Sequence, residues 1–143
     1  MKLSTVDQLF GYDAEKSEQG VPEIVGVNSK GEDVVFYVAE AGNEKHEKVQ
    51  RRYSKMLEAT RKVDKEHEKV ISRIIAESIL VSWEGMLDEK ENLVEPTVEN
   101  KTAYLIKYRK LRQKVMEIAT NDSNFMPDTG KTKSEIAKDT EKN

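Results

Sequence analysis

The sequence predicts a mostly α-helical protein: a small helical domain with an N-terminal two-stranded β-hairpin and a disordered C-terminal tail. Three observations predict it. Gly42 and Gly85 enclose 42 residues with neither proline nor glycine, and apolar side chains recur through them at spacings of four and three, the stripe of an amphipathic helix. Ahead of them, two β-prone runs flank a cluster of turn residues, the pattern of a hairpin. Behind them, after Met126, Ile136 is the only sizeable apolar side chain, too little to order residues 126–143 by burial.

The elements follow in order. Thr5-Val6-Asp7-Gln8-Leu9-Phe10 reads as a short helical turn, with Ser4 or Thr5 as cap, Gly11 as stop and Leu9 and Phe10 packing back onto the body. Residues 16–20 read as loop. Ile24-Val25-Gly26-Val27 and Val34-Val35-Phe36-Tyr37-Val38 form the hairpin around Asn28-Ser29-Lys30-Gly31-Glu32-Asp33. An isolated hairpin is marginal in water, so it should lie against helices. Asn43 is a good N-cap, and Glu44-Lys48, Glu47-Arg51 and Glu58-Lys62 are favourable i,i+4 pairs. The inward stripe runs Val49, Tyr53, Met56, Thr60, Val63, His67, Val70, Ile74, Glu77 or Ser78, and Val81. One helix of such length is rare in a small domain, and the stripe weakens near Thr60. Residues 43–84 therefore read as two helices breaking near Val63-Asp64, with Asp64 capping the second. That second helix, 64–83, turns apolar nearly all round and should be the most buried element. Thr97 caps the next helical segment, with Tyr104, Tyr108, Leu111, Val115 and Ile118 inward. The domain then spans 1–125.

Composition removes several function classes. With 143 residues the chain is one domain by length. Hydrophobic and charged residues are 36% each, and the mean hydropathy of −0.75 implies a soluble protein with well-solvated helix faces. The absence of cysteine excludes disulfide frameworks, thiol nucleophiles and Cys-based zinc sites. No apolar run is long enough to span a membrane, and Met1-Lys2-Leu3-Ser4-Thr5-Val6-Asp7 lacks the apolar core of a signal peptide, which implies a cytoplasmic location. Charge comes in blocks: residues 1–42 carry 3 basic and 8 acidic groups, 43–63 carry 7 and 3, 64–100 carry 4 and 10, and 101–125 carry 6 and 2. Alternating blocks of net −5, +4, −6 and +4 allow segments to attract one another.

No constellation rises to an active site. His46-Glu47 and His67-Glu68 match the start of a zincin motif, but its second histidine would fall at Gln50 or Ile71. Gly130-Lys131-Thr132 imitates the end of a P-loop whose first glycine would have to be Phe125. Asp88-Glu89-Lys90-Glu91 lacks the calcium-loop pattern and reads as a solvated loop. The expectation is no enzyme activity, no metal and no cofactor. Two basic helical sets, Lys45 to Lys62 and Lys107 to Lys114, are interleaved with Tyr53, Tyr104 and Tyr108 and could contact phosphates. In an acidic chain, pI about 5.6, they read better as faces paired with the acidic blocks. Trp83-Glu84-Gly85 has two readings: a core tryptophan with Gly85 in a left-handed cap, or an aromatic anchor for a partner.

The register of motifs resembles one family. Ile79 to Asp88 runs from an apolar helix into the Trp83-Glu84-Gly85 turn and an acidic turn. Pro96-Thr97-Val98-Glu99-Asn100 follows as a helix start, and Asn121-Asp122-Ser123-Asn124-Phe125 as a polar stop closing on an aromatic. With Val38-Ala39-Glu40-Ala41-Gly42-Asn43, this order and spacing resembles the tail assembly chaperones of long-tailed bacteriophages over residues 5–125. The resemblance departs from the family at Glu91-Asn92, where a glycine turn is usual, in the spacing of Val94-Glu95-Pro96-Thr97, and at Arg109, where relatives often carry a helix-breaking proline. It implies a protein of the host cytoplasm, absent from the finished virion, that binds the tape measure protein, keeps it soluble and helps recruit tail tube protein. It implies no specific nucleic acid and no membrane, and leaves self-association open. Partner-binding residues would come from Trp83, Gly85, Met86, Leu87, Tyr104 and Phe125. Two other classes remain: a small nucleic-acid-binding regulator, which needs its basic faces on one surface, and a structural virion connector, which needs more strand than one hairpin.

Overall fold

The computed structural model describes residues 4–127. Helices α1 (Thr5–Phe10) and α2 (Ala14–Gln19) lead into strands β1 (Val21–Val27) and β2 (Asp33–Val38). Helices α3 (Glu44–Arg52), α4 (Ser54–Thr60) and α5 (Asp64–Ser78) precede a third strand, β3 (Leu80–Glu84), and helices α6 (Val98–Lys107) and α7 (Arg109–Ala119) end in a 3-10 turn at Asp122–Asn124. The sheet is antiparallel in the order β1-β2-β3. The fold class is therefore mixed, helices against a three-stranded sheet, rather than mostly helical with a lone hairpin. The expected disordered tail lies outside the described residues apart from Met126 and Pro127, and Lys16 Nζ donates to the Met126 carbonyl at 3.4 Å.

The decisive correction is β3. The helix expected to run to Trp83 stops at Ser78, whose hydroxyl turns back to the Ile74 carbonyl at 2.6 Å. The Ile79 carbonyl then accepts the Ala39 N–H at 2.8 Å, the first bond that ties the emerging chain to the end of β2. Phe36 pairs with Trp83 and Tyr37 with Ser82, but Val38 pairs with Leu80, so Val81 is an extra residue in a bulge. A bulge shifts the alternation of side chains by one. Leu80 and Trp83 thus both face the core, at 0% and 3% exposure, although three residues apart, and a strand acquires helical spacing. Val81, placed on the inward stripe by the sequence, is exposed.

One face of the sheet carries the core. Phe36 and Val38 from β2 and Leu80 and Trp83 from β3 pack with Ile75, Ala76 and Ile79, and with Leu105 of α6 and Val115, Ile118 and Ala119 of α7. A smaller cluster of Val49, Val70 and Ile74, with Tyr53 and Leu57 against it, joins α3 and α4 to α5. The caps at Ser4, Asn43 and Thr97 form as expected, each side chain accepting an N–H three residues on.

Other expectations yield to tertiary detail. Residues 16–20 are not loop: Asp13 caps α2 by accepting the Lys16 N–H at 3.0 Å. Residues 43–84 hold three helices and β3 rather than two helices, because the chain turns at Tyr53 as well as at 61–63. Val63, not Asp64, sits at the N-cap of α5, and no side chain caps it. Met56, Val63 and Tyr108 are exposed, as are Leu9 and Phe10, which do not pack back onto the body. The helical segment after Thr97 breaks at Tyr108, whose extended backbone (φ −115°, ψ 93°) separates α6 from α7 without a proline.

Candidate functional site

Beyond β3 the chain folds back on itself. Gly85 has φ +78°, a region open to glycine at little cost, and a Cβ there would meet the Asp33 carbonyl oxygen at 2.4 Å. Its own carbonyl accepts Asn28 Nδ2 at 3.0 Å, which locks the hairpin turn to the end of β3. Gly85 is thus left-handed, as one sequence reading had it, but it ends a strand rather than a helix. The acidic segment that follows is an ordered miniature hairpin: Val94 N–H donates to the Met86 carbonyl, Asp88 N–H to Asn92, and Leu87 bridges Leu93. The Asp88 carboxylate holds its tip by accepting the N–H groups of Lys90 at 2.8 Å and Asn92 at 3.0 Å.

This loop stands across from α6 and the two enclose an open groove of about 660 Å³, lined by Met86, Leu87, Asp88, Glu89, Lys90, Asn92, Tyr104, Lys107 and Tyr108. Trp83 forms its foundation. The indole is buried, donates to the Val94 carbonyl at 2.7 Å and stacks on Tyr104 with centroids 5.5 Å apart. Tyr104 meets Tyr108 edge-on at 5.8 Å, and Lys107 Nζ lies 5.4 Å from the Tyr108 ring centre. The result is an aromatic wall, an apolar floor from Met86 and Leu87, and an acidic rim. Apolar and aromatic side chains thus share the groove about equally with charged and amide groups, a concave mix that can hold a ligand.

Of the six residues named from sequence, Met86, Leu87 and Tyr104 line the groove. Trp83 supports it from beneath, and Gly85 sets the turn into it. Phe125 is elsewhere: it is fully buried, and its carbonyl accepts the Asp13 N–H at 2.7 Å. Tyr108, Lys107 and the acidic tip were missed as lining. Tyr108 falls on the apolar stripe of an unbroken helix, so only the α6–α7 break reveals its exposure.

Several charged side chains are committed to one another. Arg52, Arg73 and the Tyr53 hydroxyl converge on Glu77. Burial alone would raise the Glu77 pKa, but the hydrogen bonds from Tyr53, Arg52 and Arg73 outweigh it and hold the carboxyl below its ordinary value. Glu68 takes Arg112 and Arg109. Lys101, of the net-basic block 101–125, is buried, and its ammonium donates to the Leu80 and Val81 carbonyls at 2.8 and 3.2 Å. Burial, with Lys45 adding repulsion, lowers its pKa. His46 Nδ1 accepts the Gly42 N–H at 2.9 Å, and His67 contacts Thr60 at 3.2 Å. Among the described residues no group of three or more His, Cys, Asp or Glu could hold a metal ion, and no helix is long and apolar enough to cross a membrane.

The model of the YdaY prophage protein family matches residues 38–141, well over half of the chain. The chain belongs to the YdaY prophage protein family. The match begins at the last residue of β2, so the whole groove of this YdaY-family protein lies within the matched span, whereas α1, α2 and β1 precede it. No curated protein and no solved structure matches the chain.

Proposed function

We propose that this YdaY-family protein is a non-enzymatic assembly chaperone of the phage tail, acting in the host cytoplasm and absent from the finished particle. Its groove grips apolar helical stripes of the tape measure protein, keeps that protein soluble, and gives way as tail tube subunits enclose it. The observation that carries this reading is the groove itself: two tyrosines, Met86 and Leu87 between an ordered acidic loop and α6. Its supports are the resemblance in motif register and the phage-related family. Coating about 600 Å² of apolar stripe at about 25 cal/mol per Å² contributes roughly 15 kcal/mol gross. Ordering costs offset most of it, which leaves the reversible hold that an assembly factor needs.

The test is co-expression with the tape measure protein of the same phage. Wild-type chain should bring it into the soluble fraction and co-purify with it. Leu87→Asp and Tyr108→Ser, both at the groove surface, should abolish that without changing the circular dichroism spectrum. A tape measure protein equally insoluble with and without the wild-type chain would overturn the proposal.

A further inference from the structure

A second cavity, of about 460 Å³, opens in the helical body, and none of its residues belongs to the groove. Its apolar lining is Leu57 of α4, Ile71, Ile74 and Ile75 of α5, and Met116 of α7. Its polar lining is His46, Gln50, Gln113 and Arg112. No carboxylate lines it. The Arg112 side chain is only 16% exposed and donates to Ser72 Oγ and Glu68 Oε1, each at 3.3 Å. A guanidinium has five N–H donors, so others remain for an occupant. His46 accepts the Gly42 N–H at Nδ1, which leaves Nε2 as its donor. The cavity therefore fits an apolar group bearing a carboxylate.

The same chain carries such a group. Helix α1 exposes Val6 (67%), Leu9 (65%) and Phe10 (80%), and Tyr12 after it is 62% exposed. Asp7, amid them, uses one carboxylate oxygen on the Ser4 hydroxyl and has the other for a cation. Asp13, three residues beyond α1, is anchored to the Phe125 carbonyl and caps α2, so α1 projects from a fixed point. Charge is complementary at the contact as well: Asp7 is the one charged side chain of α1, and Arg112 is the guanidinium of a cavity lining that holds no carboxylate.

We propose that α1 of one copy docks into the α3–α5–α7 cavity of a second copy, with Leu9 and Phe10 on the Ile71–Met116 floor and Asp7 at Arg112. The exchange is reciprocal, each copy giving and receiving one helix, so it closes as a two-fold dimer. It does not depend on what the groove binds.

Sedimentation velocity of the full chain across micromolar concentrations tests it. The wild type should show a monomer–dimer equilibrium. Leu9→Ser or Phe10→Ser, at exposed positions, should weaken it about tenfold or more, with circular dichroism unchanged. Gln113→Glu, which places a negative charge at the exposed cavity rim beside Arg112, should weaken it too, and Asp7→Asn in the same chain should leave Gln113→Glu with a much smaller effect, because the repelled carboxylate is gone. A chain that stays monomeric throughout, with α1 free or folded onto its own body, would overturn the proposal. So would a dimer indifferent to Phe10 and to these charge changes.

Discussion

Replacing Trp83 tests the core and the groove together. The indole is 3% exposed, pairs with Phe36 across the sheet, stacks on Tyr104 and donates to the Val94 carbonyl. Trp83→Ala removes the packing and leaves a cavity, which costs about 3–5 kcal/mol for an aromatic-to-alanine change in a core. The Val94 carbonyl also loses its donor, roughly 1 kcal/mol more. Against a typical total of about 5–15 kcal/mol, this variant should be marginally folded at 25 °C. Trp83→Phe keeps most of the apolar contact but not the N–H, and should cost about 1–2 kcal/mol. Urea titration followed by far-ultraviolet circular dichroism measures both, since the only tryptophan is lost as a fluorophore. The wild-type indole should emit at the short wavelength of a buried ring. If the alanine variant melted with the wild type, or the phenylalanine variant cost as much as alanine, the stacking and hydrogen-bond account of Trp83 would fail.

Three other outcomes follow from individual contacts. Gly85→Ala forces a methyl group to within 2.4 Å of the Asp33 carbonyl oxygen at φ +78°; it should cost more than the roughly 1 kcal/mol of left-handed backbone alone, and a melting temperature within a degree of wild type would refute this. Because the Glu77 carboxyl is held below its ordinary pKa, its contribution is present at neutral pH and is lost as pH falls below the unfolded value and through the folded one. Glu77→Gln should therefore lower stability at pH 7 and flatten the acid limb of the stability profile, and parallel acid limbs would contradict it. Burial lowers the His46 pKa despite nearby Glu47, so its neutral form is favoured on folding; stability should decline as pH falls from above 6.5 through the folded pKa. His46→Gln should remove that part of the slope, as thermal melts at a series of pH values would report.

Local signals in the chain were legible where the causes were local. The hairpin follows from β-branched runs around Asn28 to Asp33, and the caps at Asn43 and Thr97 from their own side chains. What failed was set by contacts distant in sequence. Leu80 and Trp83 have helical spacing because a bulge at Val81 fits β3 to β2, and only the partner strand makes the bulge. Nothing at Tyr108 announces the break between α6 and α7. For the groove, Met86, Leu87 and Tyr104 could be named from motif register, but Tyr108, Lys107 and the acidic tip could not. Their role depends on a loop folding back toward a helix that begins after it. Phe125 was misplaced because a terminal aromatic reads alike whether it seals a surface or offers one.

Lys101 has a consequence for what the protein can hold. β3 is an edge strand, and the ammonium sits on two of its carbonyls. At the opposite edge β1 carries Pro22, which has no N–H to offer, and a register break at Val25. An extended polypeptide seeking backbone partners would find one border obstructed by a buried cation and the other interrupted, the two common defences against strand addition. The sheet is thereby closed to growth at both borders, and whatever the groove binds is left to side-chain contacts, which can be undone one at a time.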